Sequence, residues 1–308
     1  MSDVNMHEGV ECDCACAVSI CIPAYCDPGG VRRCLDSILA QTFLDYEVII
    51  SDDSPDSSVA DVLLAFRSLN IKYVRNVPAL GTPKNWNHAI QLASGRLVKV
   101  MHHDDWFRHN ESLGFFVKMM ELNPEALLGF GASFDTRENE CVIRVNSPTK
   151  SLRKKIERDP HALLCGNYIG SPSAVIYRNS ESVFFDENYK WLVDIEFYIR
   201  KIGTRRILAY DERASVNIGI SEHQVTQSCI GNPNVVVREF LLLYDVLGFS
   251  VTRYVADCLV LSRIFWDCRI ASFRKINEYG KMPNEFVLLV CLLILLNLGR
   301  KTMRMKNW

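Results

Sequence analysis

The sequence predicts an α/β fold: a mostly parallel sheet flanked by helices, with a helical appendage at the carboxyl end of the chain. Short apolar segments alternate with helix-periodic segments over about the first hundred residues, and this pattern is typical of parallel strands joined by helices. After about residue 230 the apolar spacing becomes helical. At 308 residues the chain has room for one large domain and such an appendage.

The strands of the first half are predicted from short apolar runs that are bounded by polar or turn residues. These strands cover residues 17–23, 46–50, 71–74 and 97–101. The helices between them are predicted from apolar residues that recur on one face, such as Val31, Leu35 and Ile38. These helices cover residues 30–41, 59–69 and 85–93.

The second half of the chain is less regular, but it continues the mixture of strands and helices. Apolar runs predict further strands at 127–134, 141–146 and 174–177. Helical spacing predicts helices at 110–122 and 192–202, and one or two amphipathic helices over 233–275. The basic stretch 151–158 is predicted to be a solvated helix face.

Composition and charge exclude two classes of protein. A hydrophobic fraction of 48% and a charged fraction of 23% are those of a globular protein, which excludes extensive disorder. A net charge of −1 provides no general attraction to nucleic acid, which argues against a nucleic-acid-binding protein.

Most of the 12 cysteines lie in apolar segments, and the spacing of Cys12, Cys14 and Cys16 does not match a metal site. Reduced thiols in a cytoplasmic protein are therefore expected.

The two ends of the chain differ in character. Residues 1–16 have acidic residues where a secretory signal has a cationic start and an apolar core, so they do not match a signal peptide. They are predicted to be a flexible leader, because the ends of a chain are often poorly ordered. The apolar run 286–298 is shorter than the about 20 residues that span a bilayer, and the basic segment 300–306 follows it. Two interpretations stay open: a helix on an anionic membrane surface, or a core helix with a solvated tail.

Pairs of acidic residues follow two of the predicted strands: Asp52 with Asp53, and Asp104 with Asp105. Ligands of parallel α/β sheets bind beyond the carboxyl ends of the strands, so both pairs are expected in one crevice. Paired carboxylates suit Mg²⁺ or Mn²⁺, together with the phosphates of a substrate. Capping of the next helix is the alternative interpretation of each pair, although one aspartate is enough for a cap.

A third acidic residue, Asp194, lies in an apolar helical segment. Next to Trp191 and Leu192 its carboxyl group is expected to be partly desolvated, which raises the pKa and suits a general base. Glu196 is spaced to pair with Arg200 on the same helix face, whereas Asp194 is not.

In their order along the chain, these segments resemble family 2 of the inverting glycosyltransferases, which have the GT-A fold. The matching segments are 18–25 (VSICIPAY), 35–43 (LDSILAQTF), 47–54 (EVIISDDS), the Asn85-Trp86-Asn87 block, His103-Asp104-Asp105 and Asp194 with Arg200. His103-Asp104-Asp105 stands at the place of the family's metal-binding Asp-x-Asp motif, with His103 in place of the first aspartate. The resemblance covers about residues 17–205, and as an ordered set the motifs are specific.

The resemblance implies a role for each matching position. Donor binding is expected of Pro23, Ala24, Tyr25, Asp52, Asp53, Asn85 and Asp104. Asp105 would bind the metal ion, Mg²⁺ or Mn²⁺, and Asp194 would be the catalytic base. His223 lies where some members of the family have a further metal ligand or a phosphate contact, and an exposed loop histidine is the alternative interpretation.

The activity implied by the resemblance is transfer of a sugar from a nucleoside-diphosphate sugar to an acceptor hydroxyl, with inversion at the anomeric carbon. The nucleotide-sugar-binding and catalytic domain would cover 17–230, and a helical region with a basic tail would cover 231–308. A sugar nucleotidyltransferase and a non-catalytic membrane-docked scaffold are the alternative interpretations.

The family also implies a setting for the reaction, the assembly of bacterial surface polysaccharides or glycolipids. The acceptor would be a saccharide or a lipid-linked saccharide. The protein would be cytoplasmic, at the cytoplasmic face of the inner membrane, with residues 281–308 as the segment that contacts the membrane surface.

Overall fold

The computed structural model describes most of the chain: residues 16–137, 139–180, 184–220, 229, 231–248, 253–270 and 273–295. Its strands are β1 Val18–Ala24, β2 Tyr46–Asp52, β3 Ile71–Arg75, β4 Leu97–Val100, β5 Trp106–Phe107, β6 Leu128–Thr136, β7 Val142–Asn146, β8 Val175–Arg178 and β9 Leu208–Gly219. Its α-helices are α1 Pro28–Leu39, α2 Ser58–Leu63, α3 Lys84–Gln91, α4 Ser112–Leu122, α5 Lys150–Arg158, α6 Val193–Arg205, α7 Val236–Leu247, α8 Tyr254–Asp267, α9 Phe273–Tyr279 and α10 Asn284–Leu295. Two short 3₁₀ helices cover Pro160–Cys165 and Pro172–Ala174.

The strands of the described residues form one sheet in the order β3-β2-β1-β4-β8-β6-β9-β5, and β7 pairs with β6. The strands β1 to β4 are parallel, which confirms the alternation that the sequence predicts. The second half of the sheet is mixed, because β8 runs antiparallel to β4 and β6, and β7 runs antiparallel to β6. The short link between β6 and β7 permits only the antiparallel arrangement, since parallel neighbours need a crossover of about a dozen residues or more.

The sequence patterns predict neither β5 nor β9. Strand β9 carries Asp211, Glu212 and Arg213 in its middle, so it does not form the apolar run by which a buried strand is recognised. It nevertheless pairs in parallel with β6 along its length, with an irregularity between Gly131 and Ser133 that accommodates the polar stretch. This pairing brings the end of β9 to the edge where β4 ends.

The core has two layers, one on each face of the sheet. Ile20 and Ile22 of β1 pack in the layer that contains α1 and α4, whereas Cys21 between them packs in the opposite layer with α3 and α6. Because both faces of β1 are covered, the strand is apolar throughout except for Ser19, a buried residue whose hydroxyl donates to Glu47 at 2.6 Å.

The helices α7, α8 and α10 belong to the same hydrophobic cluster as α3 and α6, through residues such as Phe240, Phe265 and Val290. Helix α10 therefore packs with one side in the core, while Leu288 and Leu292 on its other side are 75% and 48% exposed. Within the described ranges, no helix has the length and apolar character needed to cross a membrane. The division at residue 230 stays a prediction.

Candidate active site

The carboxyl ends of β1, β2 and β4 meet at one edge of the sheet. Ala24, the last residue of β1, pairs with Asp52 at the end of β2. On the other side of β1, the Met101 amide donates to the Cys21 carbonyl at 2.9 Å, directly after β4. This register brings both predicted acidic pairs to the same edge, where parallel α/β sheets bind their ligands.

Asp52 is fully buried and connects β2 to β3. Its Oδ1 accepts from the Ser54 amide at 2.8 Å, and its Oδ2 accepts from the Tyr73 hydroxyl at 2.8 Å. Burial and the bond to Asp52 raise the pKa of Tyr73 to about 12, so the phenol keeps its proton at neutral pH.

Asp53 holds the loop that follows β3. Its Oδ2 accepts from the Gly81 amide at 2.7 Å, and its Oδ1 accepts from the Leu80 amide at 3.1 Å and from Asn76 Nδ2 at 2.8 Å. Gly81 has a φ of 75°, which residues with a side chain rarely adopt. Three N–H groups that converge on one carboxylate stabilise this loop conformation.

Asn85, in the first turn of α3, connects this loop to β1. Its Oδ1 accepts from Asn76 Nδ2 at 3.2 Å, and its Nδ2 donates to the Ala24 carbonyl at 3.3 Å. Tyr25 follows at the end of β1 with 58% of its surface exposed. The structure thus brings six of the predicted donor-binding residues to one edge: Pro23, Ala24, Tyr25, Asp52, Asp53 and Asn85.

His102, Asp104 and Asp105 form a group that could hold a metal ion, with one ligand atom from each lying within 4.8 Å of the others. Asp105 is only 1% exposed. Its Oδ1 accepts from the Gly219 amide at 2.9 Å, and its Oδ2 accepts from Ser171 Oγ at 3.5 Å. Burial and the charge of Asp104 raise the pKa of Asp105 well above its ordinary value. A bound cation would reverse this effect.

The imidazole of His102 has the properties of a metal ligand. Its Nε2 is buried and has no hydrogen-bond partner in the described part of the chain. Its ring packs against Trp86 at a centroid distance of 4.6 Å. Burial lowers the pKa of His102 to about 4, so the ring is neutral at pH 7 and retains a lone pair for a cation. Two carboxylates and a neutral imidazole are a suitable donor set for a divalent cation.

The adjacent His103 points elsewhere. Its Nδ1 donates to the Pro23 carbonyl at 3.0 Å, so this side chain joins the segment after β4 to the end of β1. The motif in the sequence places His103 beside the two aspartates, whereas the structure groups His102 with them. Residues 102–105 form a turn in which the Asp105 amide donates to the His102 carbonyl at 3.0 Å, and this turn directs His102 and Asp105 toward each other. The sequence alone does not decide which of the two histidines faces the aspartates.

Lys99 is a fully buried residue that the sequence patterns did not single out, although a lysine within an apolar strand indicates a buried charge. Its Nζ donates to the Ser173 carbonyl, and to the Val100 carbonyl at 3.3 Å. It also lies 4.7 Å from the centre of the Phe116 ring. Burial lowers the pKa of Lys99 to about 7, and the nearby charge of Asp105 opposes this change.

Asp194 lies in the first turn of α6. Its Oδ1 accepts from the Ile195 amide at 2.8 Å, and its Oδ2 accepts from Asn167 Nδ2 at 2.6 Å. Burial raises the pKa of Asp194 to about 7, although the hydrogen bonds from Ile195 and Asn167 oppose this change. A carboxyl group with such a pKa can accept a proton near neutral pH.

One short loop connects the metal-binding group to Asp194. Ser171 contacts Asp105, and Asn167, a few residues earlier, contacts Asp194. Between them, the Gly170 carbonyl accepts from the Tyr198 hydroxyl at 3.0 Å. The acids that follow β4 and the acid of α6 therefore lie on either side of the loop 167–171. The sequence did not identify Asn167, because nothing in its local pattern marks it.

The remaining predicted residue, His223, lies outside the described residues. Asp104 is expected to bind the donor, and the structure places its carboxylate in the same group as His102 and Asp105.

A comparison with protein families identifies the class of this fold and site. Residues 19–184 match the model of Glycosyl transferase family 2. This match covers more than half of the chain, so the chain belongs to this family and is a glycosyltransferase.

Two relatives in sequence align over most of their own lengths. A protein of Mycobacterium tuberculosis (strain CDC 1551 / Oshkosh), described as uncharacterized protein MT1568, is 25% identical over 244 residues, 75% of this chain and 76% of that protein. The Escherichia coli UDP-Glc:alpha-D-GlcNAc-diphosphoundecaprenol beta-1,3-glucosyltransferase WfgD is 26% identical over 247 residues, 78% of this chain and 88% of that protein.

Solved structures confirm the GT-A fold. The Staphylococcus aureus TarS 1–349 structure in complex with UDP-GlcNAc matches with a TM-score of 0.61 and 18% identity, covering 89% of this chain and 78% of that chain. The mannosyltransferase PcManGT from Pyrobaculum calidifontis, in complex with GDP-Man and Mn²⁺, matches with a TM-score of 0.53 and 13% identity, covering 92% of this chain and 90% of that chain.

Proposed function

We propose that this glycosyltransferase moves a sugar from a nucleoside-diphosphate sugar to an acceptor hydroxyl, with inversion at the anomeric carbon and with Asp194 as the catalytic base. The main support is the environment of Asp194, where burial raises the pKa of the carboxyl group to about 7. Asp194 also lies across the loop 167–171 from the acids at the sheet edge. At neutral pH a substantial fraction of this carboxyl group is ionised and can take the proton of the attacking hydroxyl. Attack from the face opposite the departing diphosphate inverts the anomeric carbon.

The donor would bind at the edge formed by β1, β2 and β4. The exposed ring of Tyr25 and the loop held by Asp53 support this placement. We assign donor contacts to the residues that the family motif indicates: Pro23, Ala24, Tyr25, Asp52, Asp53, Asn85 and Asp104. Since both carboxylate oxygens of Asp52 bond within the protein, its contribution includes shaping this pocket through Tyr73.

A divalent cation, Mg²⁺ or Mn²⁺, would be held by His102, Asp104 and Asp105, with His223 as a further ligand from the family motif. The Nδ1 of His102, which lies 3.8 Å from Asp105 Oδ2, and the raised pKa of Asp105 support this assignment. When bound, the cation would neutralise the charge that develops on the departing diphosphate.

The acceptor class is proposed from the relatives and from the surface. WfgD is named for transfer to a diphosphoundecaprenol-linked sugar, so a lipid-linked saccharide is a reasonable acceptor here. The exposed side chains of Leu288 and Leu292 precede a basic sequence, a combination that favours contact with an anionic membrane surface. Residues 281–308 would then place the catalytic domain, 17–230, at the cytoplasmic face of the inner membrane.

The function is tested by measuring UDP release from UDP-glucose with Mn²⁺ and a diphosphoundecaprenol-linked sugar, the donor and acceptor for which WfgD is named. Asp194→Asn is the decisive variant. The amide cannot accept the proton, so UDP release should fall by about 10³-fold or more, while binding of UDP remains. Asp245→Asn, an exposed aspartate on α7, is the matched control and should behave like the original protein. Turnover by Asp194→Asn at the original rate would contradict the assignment of the base.

A further inference from the structure

The turn that precedes α6 is held by a residue from the carboxyl-terminal helices. The backbone amides of Lys190, Trp191 and Leu192 donate to the Glu239 carboxylate at 2.9, 2.8 and 2.8 Å. Glu239 lies on α7 and is only 6% exposed. Three successive amides that converge on one buried carboxylate form a specific, charge-assisted contact.

This contact holds the entry to α6, because Glu239 accepts from the amide of the N-cap residue Leu192 and from the two amides before it. Leu192 occupies the N-cap position, and within the described residues its side chain makes no capping hydrogen bond. The amides at a helix start need acceptors when they are buried, and negative charge near that end is favourable. Glu239 provides an acceptor for the Leu192 amide and a negative charge near the start of the helix, although it lies 47 residues beyond Leu192 in the chain.

Asp194 follows Leu192 closely, in the first turn of α6, so the position of that turn decides where the carboxyl group of Asp194 lies. On this basis, and resting on the proposed role of Asp194 as the base, we propose that Glu239 is a positioning residue for catalysis. Helix α7 is then part of the catalytic unit and not a separate appendage.

The charge of Glu239 acts in addition to its hydrogen bonds. Glu239 contributes to the raised pKa of Asp194, after the larger effect of burial. Titratable groups near the two carboxylates include Tyr198, whose pKa the charge of Asp194 raises further, and Tyr189 and Lys190 beside Glu239. Glu196 and Asp186 also lie near Tyr189, and burial raises the pKa of Glu239 itself. Neutralising Glu239 therefore lowers the pKa of Asp194.

Helix α7 is itself fixed to the rest of the protein. The Tyr244 hydroxyl donates to Asp257 at 3.1 Å, and Arg253 bridges Asp257 at 2.7 Å and Asp159 at 3.0 Å. These contacts keep α7 and α8 in place without touching the turn before α6. They also offer a matched control, because Asp257→Asn removes a different buried charge, beside Arg253, but keeps an oxygen that accepts from the Tyr244 hydroxyl of α7.

The experiment compares Glu239→Ala, Glu239→Gln and Asp257→Asn in the full chain. Amide hydrogen exchange of the 189–197 segment is measured by mass spectrometry, and UDP release from UDP-glucose with Mn²⁺ is measured as a function of pH. Glu239→Ala should speed exchange in this segment and lower kcat by about 100-fold with a smaller change in KM, as expected for a displaced catalytic group.

Glu239→Gln retains one accepting oxygen, so it should fold and recover most of the exchange protection. Its activity should decline at a lower pH than that of the original protein, because the neutral amide no longer raises the pKa of Asp194. Asp257→Asn should lower the melting temperature and leave both the exchange of 189–197 and the pH profile unchanged.

Two results would overturn the proposal: unchanged exchange and pH profile in both Glu239 variants, or the same changes in Asp257→Asn. The Asp194→Asn variant separates this outcome from failure of the proposed function. If Asp194→Asn is inactive and the Glu239 variants resemble the original protein, only the role of Glu239 is wrong. If Asp194→Asn is active, the assignment of the base is wrong, and the role of Glu239 is overturned with it.

Discussion

Asn167 donates a hydrogen bond of 2.6 Å from its Nδ2 to Oδ2 of Asp194, and the same amide group is held in place by the Gly170 carbonyl at 3.1 Å. The bond favours the ionised form of Asp194 and so lowers a pKa that burial raises. Asn167 thus adjusts both the orientation and the proton affinity of the proposed base.

Replacing Asn167 with Ala should move the acid limb of the pH–rate profile to higher pH, because the pKa of Asp194 rises when the bond is lost. At pH 7 the rate should fall by about tenfold, the effect expected for a lost hydrogen bond to a charged group. UDP release from UDP-glucose between pH 5 and pH 9 measures both changes. Asn188→Ala, which removes only an exposed contact with Asp186, is the control. An unmoved acid limb would show that the bond does not influence the base.

Replacing Asp194 with Asn should stabilise the folded protein at neutral and alkaline pH. The folded-state pKa of about 7 exceeds the ordinary value of 3.8, so ionisation of Asp194 destabilises the fold as the pH rises between these values. The variant should unfold with a free energy about 1–2 kcal/mol higher at pH 8, and the difference should vanish below about pH 4. Denaturant titrations at both pH values provide the measurement, and a difference independent of pH would contradict this expectation.

His102→Ala should weaken binding of Mn²⁺ to the protein without donor by about tenfold or more, which corresponds to about 1.4 kcal/mol. The reason is the loss of the imidazole, whose Nδ1 lies 3.8 Å from Asp105 Oδ2. His103→Ala is the adjacent control and should retain the affinity, since its ring bonds to Pro23. Calorimetric titration with MnCl₂ distinguishes the two histidines. Equal losses in both variants would remove His102 from the metal site.

Gly219→Ala should disturb the metal-binding group. A Cβ at this position would overlap the Asp104 carbonyl oxygen, so β9 or the segment 104–105 must move. We expect a loss of about 1–3 kcal/mol in the free energy of unfolding, with weaker Mn²⁺ binding. In Gly203→Ala, the control on α6, the added Cβ has no described atom within 4 Å, and alanine should stabilise the helix by about 0.5–1 kcal/mol. Normal stability and Mn²⁺ affinity in Gly219→Ala would contradict the close approach.

The double variant Leu288→Ser and Leu292→Ser should bind membranes more weakly. These two side chains are 75% and 48% exposed on the outer side of α10, where they add no core packing. Sedimentation with vesicles that contain phosphatidylglycerol should show a loss of about tenfold in affinity, because burial of two leucines is worth a few kcal/mol at most. Leu122→Ser, at a leucine that is 71% exposed on α4, is the matched control. Undiminished binding by the double variant would exclude α10 from the membrane contact.

Much of the fold follows from local patterns. The alternation of apolar runs and helical spacing predicted β1 to β4 and the helices between them, because burial of both faces of the sheet imposes the pattern on each element separately. The same reasoning located Asp52, Asp53, Asp104 and Asp105 after strands, since carboxyl ends of parallel strands lie at one edge. Strand β9 did not follow in this way, because its polar middle, Asp211 to Arg213, has no apolar periodicity.

The sequence by itself determined that carboxylates occur at strand ends and that Asp194 lies in an apolar helix, because residue type and periodicity are local properties. Only the tertiary structure decided that His102, and not His103, faces the aspartates, and that Asn167 and Glu239 support Asp194. These relationships depend on how distant segments pack against each other. The amides before α6, for example, donate to a carboxylate 47 to 49 residues away, and no local sequence pattern indicates a contact over such a separation.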